Sequence, residues 1–351
     1  MVVRLSRYRL LTLLCGVFAA LTLTLTLTGP ATAAPVQVGS VRSDAAAGWL
    51  ARQLVDGERF ETVFDGVAYP DQGLTLDAVL AFAAAGVADD FGASALDWVT
   101  RPDVRDGYVG DGTTEAYAGA TAKLALAVAV RGGDPTDVGG VDLIARLRGL
   151  QAPDGRFTDR SAWGDYSNTF SQSFAILALR RTAAGTPPSA AGWLVGTRCP
   201  DGGYPVLPAQ PVCSSDVDAT ALVAQALRAA GRHSAAAAAL HWLVSVQRVD
   251  GGFANADGIA NANSTGLAAQ ALRDGGRPLS WLRARIFLAG LQVGCGAPTA
   301  DRGAVDFDGG TFDPGTATRA TAQAVLGLTG TGYARLSSAG AATGAPTLPC
   351  P

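Results

Sequence analysis

Val246-Gln-Arg-Val-Asp-Gly-Gly-Phe253 decides the fold, because the chain says it again and again. Variants stand at Leu150-Gln-Ala-Pro-Asp-Gly-Arg-Phe157, Pro200-Asp-Gly-Gly-Tyr204 and Asp306-Phe-Asp-Gly-Gly-Thr-Phe312. Their Asp-Gly pairs begin at Asp154, Asp201, Asp250 and Asp308, spaced 47, 49 and 58 residues apart. A fixed period of this size is the mark of a repeat architecture. Each phrase turns the chain on glycine, which accepts a positive φ at no steric cost, and the next aromatic packs back as a plug.

Outward from each phrase, the pattern is helical. A polar loop follows it, then an Ala/Leu-rich helix: Ser171 to Leu179, Ala219 to Leu227, Ser264 to Leu272, Ala320 to Leu328. Gly185, Gly231 and Gly275 stand where left-handed C-caps belong. A second, amphipathic helix precedes the phrase, carrying Trp193, Trp242 or Trp281. Weaker copies surround Trp49 with Asp77 to Gly86, and Trp98 with Thr121 to Val130. The expected class is all-α, with about six helix pairs over residues 44 to 330 and a tail over 331–351. Almost-all-apolar second helices must be buried on most sides, so they form an inner ring inside an amphipathic outer one. An open superhelix is the alternative; small inner-helix residues and a tail that a disulfide could pin favour closure.

The first 33 residues read as a signal peptide. Arg4, Arg7 and Arg9 precede an apolar run from Leu10 to about Thr28, and Ala31-Thr32-Ala33 offers the cleavage site. An uncleaved membrane anchor is the alternative. Cleavage leaves one domain over 34–351, secreted and not membrane-spanning, and takes the formal charge from −3 to −6. Only 27 cations face 30 acids, so the basic stripe that binding nucleic acid would need is missing. The mature chain keeps Cys199, Cys213, Cys295 and Cys350. Three pairings are possible in an oxidising compartment. Cys199–Cys213 would close a short loop, and Cys295–Cys350 would staple the tail. No Cys-x-x-Cys exists, and His233 and His241 lie far from any cysteine pair, so neither metal nor cofactor is expected.

Together the Gln-x-x-Asp-Gly-Gly-Phe phrases and the Thr-Ala-x-x-Ala-x-x-Ala-Leu helices resemble the prenyltransferase/squalene-cyclase repeats over nearly the whole mature chain. That resemblance implies an α/α toroid of six helix pairs around a central cavity. One scaffold hosts unrelated chemistries, so function must be argued from residues. Asp216-Val-Asp218-Ala-Thr-Ala is similar to the Asp-x-Asp-Asp-Thr-Ala acid motif of class II terpene cyclases, with Ala219 in place of the last Asp. The resemblance makes Asp218 a proton donor; the competing assignment is an N-cap of the fourth inner helix. Protein prenyltransfer would need an Asp/Cys/His zinc set that His233 and His241 do not complete. In a thioester protein, Gly294-Cys295-Gly296 would be followed by Glu-Gln rather than Ala297-Pro298.

Carbohydrate chemistry would draw on Trp163, Asp165, Tyr166 and Asp216 in neighbouring loops. With Asn168, Asp218 and Asn263, these are expected on the rim formed by the inner-helix N-termini. The expected function is an exported, non-catalytic module that binds a small molecule, envelope component or protein there. The alternatives are a terpenoid-cyclase-like enzyme using Asp218 as general acid, or a polysaccharide-active toroid.

Overall fold

A computed structural model describes residues 38–351; the expected signal peptide lies outside them. Helices α1 (Val38–Arg52) and α2 (Gln72–Ala85) form the first pair, with a hairpin of β1 (Glu61–Phe64) and β2 (Val67–Pro70) between them. The second pair sets α3 (Asp89–Val99) and α4 (Pro102–Val109) against α5 (Ala118–Val130). Then come α6 (Leu143–Gly149) with α7 (Thr169–Arg180), and α8 (Pro188–Gly196) with α9 (Val217–Ala229). Next are α10 (His233–Val246) and α11 (Ala262–Asp274), preceded by the short hairpin of β3 (Phe253–Ala254) and β4 (Ala260–Asn261). The last pair is α12 (Pro278–Gly290) and α13 (Pro314–Thr329).

Helices α2, α5, α7, α9, α11 and α13 are the inner ring, each packed on the next, and α13 packs back on α2. The ring is closed. Their sequences explain their place: α2, for example, buries ten consecutive residues from Leu74 to Ala83. Asp71, Asn168, Asp216, Asn261 and Asp313 cap α2, α7, α9, α11 and α13. Such a side chain satisfies an N–H that the helix itself leaves free. Helix α5 has no cap of its own; its Ala118 N–H donates to Asp159 from the loop before α7.

The repeat phrase has a hydrogen-bond signature. The plug residue donates its N–H to a side chain in the facing inner helix: Phe60 to Thr75, Phe157 to Gln172, Tyr204 to Thr220, Phe253 to Thr265. In the last pair the donor is Val305, bonded to Thr321. The sixth turn is therefore Arg302-Gly303-Ala304-Val305, and Asp308-Gly309 belongs to the rim loop before α13. That corrects the sequence register. Here the turn keeps its glycine but has lost its Asp and its aromatic, while a decoy phrase lies just downstream. Gly185 and Gly231 take the left-handed conformation as expected, whereas after α11 it is Gly276, not Gly275, that does so.

Gly251 has φ +93°, and a Cβ there would lie 2.4 Å from the Arg283 carbonyl oxygen. Gly251→Ala is expected to cost about 3 kcal/mol, combining left-handed strain with a backbone clash. Urea unfolding midpoints measure it.

After α13 the tail crosses the C-terminal ends of the inner helices. Tyr333 is buried there. Its N–H donates to Gln225 (3.0 Å), Gln225 donates to Gln270 (3.0 Å), and Gln270 donates to the Thr331 carbonyl (2.8 Å). Arg181 holds the Tyr333 carbonyl at 2.9 Å, and the Tyr333 ring meets Phe174 edge-on at 5.7 Å. Further on, Ser338 donates to Val130, and Ala342 to Gly86. The tail closes with Cys295–Cys350; the other disulfide is Cys199–Cys213. Both expected pairings form. No described helix is long and apolar enough to cross a membrane.

Candidate active site

Because the inner helices run parallel, one stripe of each faces the lumen. On α9 the stripe at helical spacing is Asp218, Leu222 and Gln225; on α11 it is Asn263, Leu267 and Gln270. Helix α7 contributes Phe170 and Phe174, and α13 contributes Arg319 and Gln323. With Tyr333, Gln225 and Gln270 as floor, the lumen is a cup that opens toward the inner-helix N-termini. At its mouth is a cavity of about 450 Å³, lined by Thr62, Leu74, Asn263, Phe307, Thr316 and Arg319 among others.

Sequence reading missed the charged band halfway down. Lys123 on α5 meets Asp77 on α2 at 2.6 Å and donates to the Gly73 carbonyl at 2.9 Å. Arg319 reaches Asp71 at 3.1 Å and Asp77 at 3.7 Å. Two cations thus match two carboxylates. Lys123 also lies 5.9 Å from the Phe174 ring centroid, a cation–π contact. Burial, with the charge of Asp77, raises the Tyr333 phenol above its ordinary pKa, and Tyr108 is raised likewise with Asp71 adding to the effect. The signal existed in the sequence: Lys123 is the chain's one lysine, and the one charged residue of an Ala/Leu/Val-rich helix.

The structure separates the two roles offered for Asp218. Asp216 is the cap, its Oδ1 accepting from the Ala219 N–H at 2.8 Å. The N-cap assignment of Asp218 is therefore corrected. Two residues on, its side chain faces α11 and interacts with Ser264, while its Oδ1 is shut away from solvent without a partner. Burial first, and the neighbouring Asp216 carboxylate second, push the Asp218 carboxyl up to about 6.

Asn263 Oδ1 and Gln323 Oε1 are likewise buried and unpartnered. A Cβ on Gly266 would fall 2.3 Å from the Gln323 carbonyl, so Asn263, one turn nearer the mouth, stands beside the Arg319–Gln323 turn. Asp218, Asn263 and Gln323 thus mark three successive inner helices. Other buried amides are better engaged: Gln172 makes three bonds, and Gln247, whose Oε1 is also unpartnered, lies at the end of the outer helix α10 with its amide nitrogen donating twice. Unpaired polar atoms in such company need a reason.

The remaining rim residues divide. Asn168 caps α7 in a reciprocal capping box with Ser171. Asp216 also lines a second rim cavity of about 450 Å³ beside the Cys199–Cys213 loop. Asp165 is engaged by the Asp159 and Ser167 N–H groups and by Arg156 at 2.9 Å. Burial opposes its ionisation, but those N–H bonds hold its carboxyl below the ordinary value. Trp163 and Tyr166 stand out in solvent, 80% and 72% exposed. Among the described residues no group of His, Cys, Asp and Glu could hold a metal.

No protein-family model matches this sequence, and no curated protein does. Solved structures do. A protein from Actinoplanes has a TM-score of 0.60 at 16% identity, over 83% of this chain and 99% of its own. The type II terpene cyclase MstE from Scytonema, in its apo form, has 0.60 at 14%, over 84% and 98%. The GH76A α-1,6-mannanase from Salegentibacter sp. HEL1_6 has 0.58 at 13%, over 83% and 98%. The chain is an α/α toroid. At such identities the likeness establishes the toroid alone, which serves different chemistries in those neighbours.

Proposed function

We propose that this toroid is an exported enzyme in which protonated Asp218 starts an acid-catalysed rearrangement of an apolar, isoprenoid-type alkene or epoxide held in the cup. The carrying observation is Asp218 itself: relieved of capping by Asp216, desolvated, and with an unpartnered oxygen. A buried acid near pH 6 is poised to donate near neutrality. Leu222 and Leu267 suit an apolar chain. The Phe174 face already accommodates the Lys123 ammonium, and the same π surface suits a developing carbocation. Two disulfides fit the oxidising compartment that export would reach.

Glycan hydrolysis is less well supported, because it needs a second free carboxylate. Asp77 is neutralised by Lys123 and Arg319, and Asp165 is engaged by its own loop. A binding-only role leaves the cost of burying Asp218 without a return.

Protonation followed by loss of another proton leaves mass unchanged in H₂O and adds one deuterium in D₂O. Incubating the mature protein with isoprenoid alkenes in D₂O should yield isomers one mass unit heavier, with the deuterium on carbon where it does not exchange. Asp218→Asn should lower that rate about 10³-fold. Equal deuterium uptake in the variant, or none above background in the wild type, ends the proposal.

A further inference from the structure

A different feature lies on the outside of the ring. Helix α8 spans nine residues where α10 spans fourteen, and between them runs a groove of about 800 Å³. Its floor is Tyr204, the plug of the third repeat phrase. Other copies put Phe157 and Phe253 in that place, fully buried and apolar. Only here does the plug carry a hydroxyl. Tyr204 is 0% exposed, yet its Oη has no hydrogen-bond partner. An aromatic plug needs no such group, and the phenylalanine plugs of the neighbouring repeats avoid the cost of an unsatisfied buried hydroxyl at this position.

What surrounds that hydroxyl is basic. Arg198 is close enough for its charge to act on the Tyr204 phenol, and Arg232 and His233 line the same groove. Helix α10 starts there with no capping side chain and no acid in its first turn. The N–H groups of Ser234 and Ala235 therefore join a partial positive charge to the guanidinium groups. No carboxylate lines the groove, although acids outnumber cations in the chain as a whole. Val195, Ala235 and Ala238 supply an apolar wall. Gly192 keeps the groove wide: a Cβ there would meet nothing within 4 Å.

We propose that the α8–α10 groove is a second binding site, separate from the cup, for a small organic oxyanion: a carboxylate or phosphate monoester on an apolar body. The Tyr204 hydroxyl and the Arg198 and Arg232 guanidinium groups donate to the anion, and the apolar wall covers the body. This inference is independent of the chemistry proposed for Asp218.

Isothermal titration of the mature protein with phenyl phosphate, benzoate, inorganic phosphate and neutral benzyl alcohol tests it. Phenyl phosphate and benzoate should bind saturably, and benzyl alcohol should not. Tyr204→Phe and Arg198→Gln should each weaken phenyl phosphate about 10-fold or more, the scale of one charge-assisted hydrogen bond. Gly192→Leu should block phenyl phosphate and leave inorganic phosphate in place. Tyr204→Phe preserves the plug, so its fold is secure, and its circular dichroism checks that. Absence of saturable binding up to roughly 10 mM, weaker than any functional ligand affinity of this kind, overturns the site. So does binding that Tyr204→Phe and Arg198→Gln leave unchanged.

Discussion

Asp218→Asn should make the protein more stable at pH 8 and leave it unchanged at pH 3.5. The folded carboxyl titrates at about 6, above its ordinary 3.8, so the folded state holds the proton more tightly than the unfolded one. Stability from this group is complete below about pH 4 and is lost as pH rises through 6. At neutral pH the buried charge costs about 2–3 kcal/mol. The neutral amide removes that pH dependence while keeping the shape. Melting temperature should rise by about 3–5 °C at pH 8, in a domain of this size. A helix cap would behave oppositely, losing about 1 kcal/mol at every pH where it is charged. Thermal scans of both proteins from pH 3.5 to 8 separate the two, and a flat or negative difference at pH 8 rules out the desolvated acid. Greater stability combined with lost turnover would be the signature of an acid kept for its chemistry.

Tyr333→Ala should be strongly destabilising. It removes a fully buried ring that meets Phe174 and opens a void beneath the Asp77–Lys123 pair. Truncating a buried aromatic costs about 3–5 kcal/mol. Admitting water to the floor should also release Asp77 and Lys123 from their dry surroundings. Tyr333→Phe should be far milder, because the tail stays anchored by the backbone bonds to Gln225 and Arg181. Urea unfolding of both variants measures the difference; equal losses would mean that the hydroxyl, not the ring, holds the floor.

The ring was readable because its helices obey two simple rules. Inner helices are apolar on nearly every face, and polar caps start them at positions such as Asn168 and Asp216. The Asp-Gly turns set the period. What escaped the sequence depends on contacts between distant repeats. Asp77 and Lys123 are 46 residues apart, and nothing local says that they meet. The sixth phrase was misplaced because Gly303 keeps the geometry of the turn but not its letters. One local signal was passed over: Phe64-Asp65-Gly66-Val67 is a two-residue hairpin turn, with φ of +49° and +78° at its centre. At the candidate site, the motif pointed to Asp218, but only the fold could give Asp216 the cap and leave one Asp218 oxygen without a partner.

The seam between α2 and α13 governs how this molecule can come into being. Every other inner-helix contact joins neighbours in sequence, so a nascent chain can grow as a crescent, pair by pair. The seam joins residues more than 200 positions apart and cannot form before the last pair exists. Until then the free flanks of α2 and of the newest inner helix are apolar surfaces awaiting each other. Such non-local closure is slow and leaves the crescent open to association. A second crescent offers the same two flanks, so two chains can exchange their last pairs and close a swapped double ring. Dilution during refolding should therefore favour the monomer. The Cys295–Cys350 bond, formed where the tail has crossed the finished floor, then serves as a latch that records correct closure in a single chain.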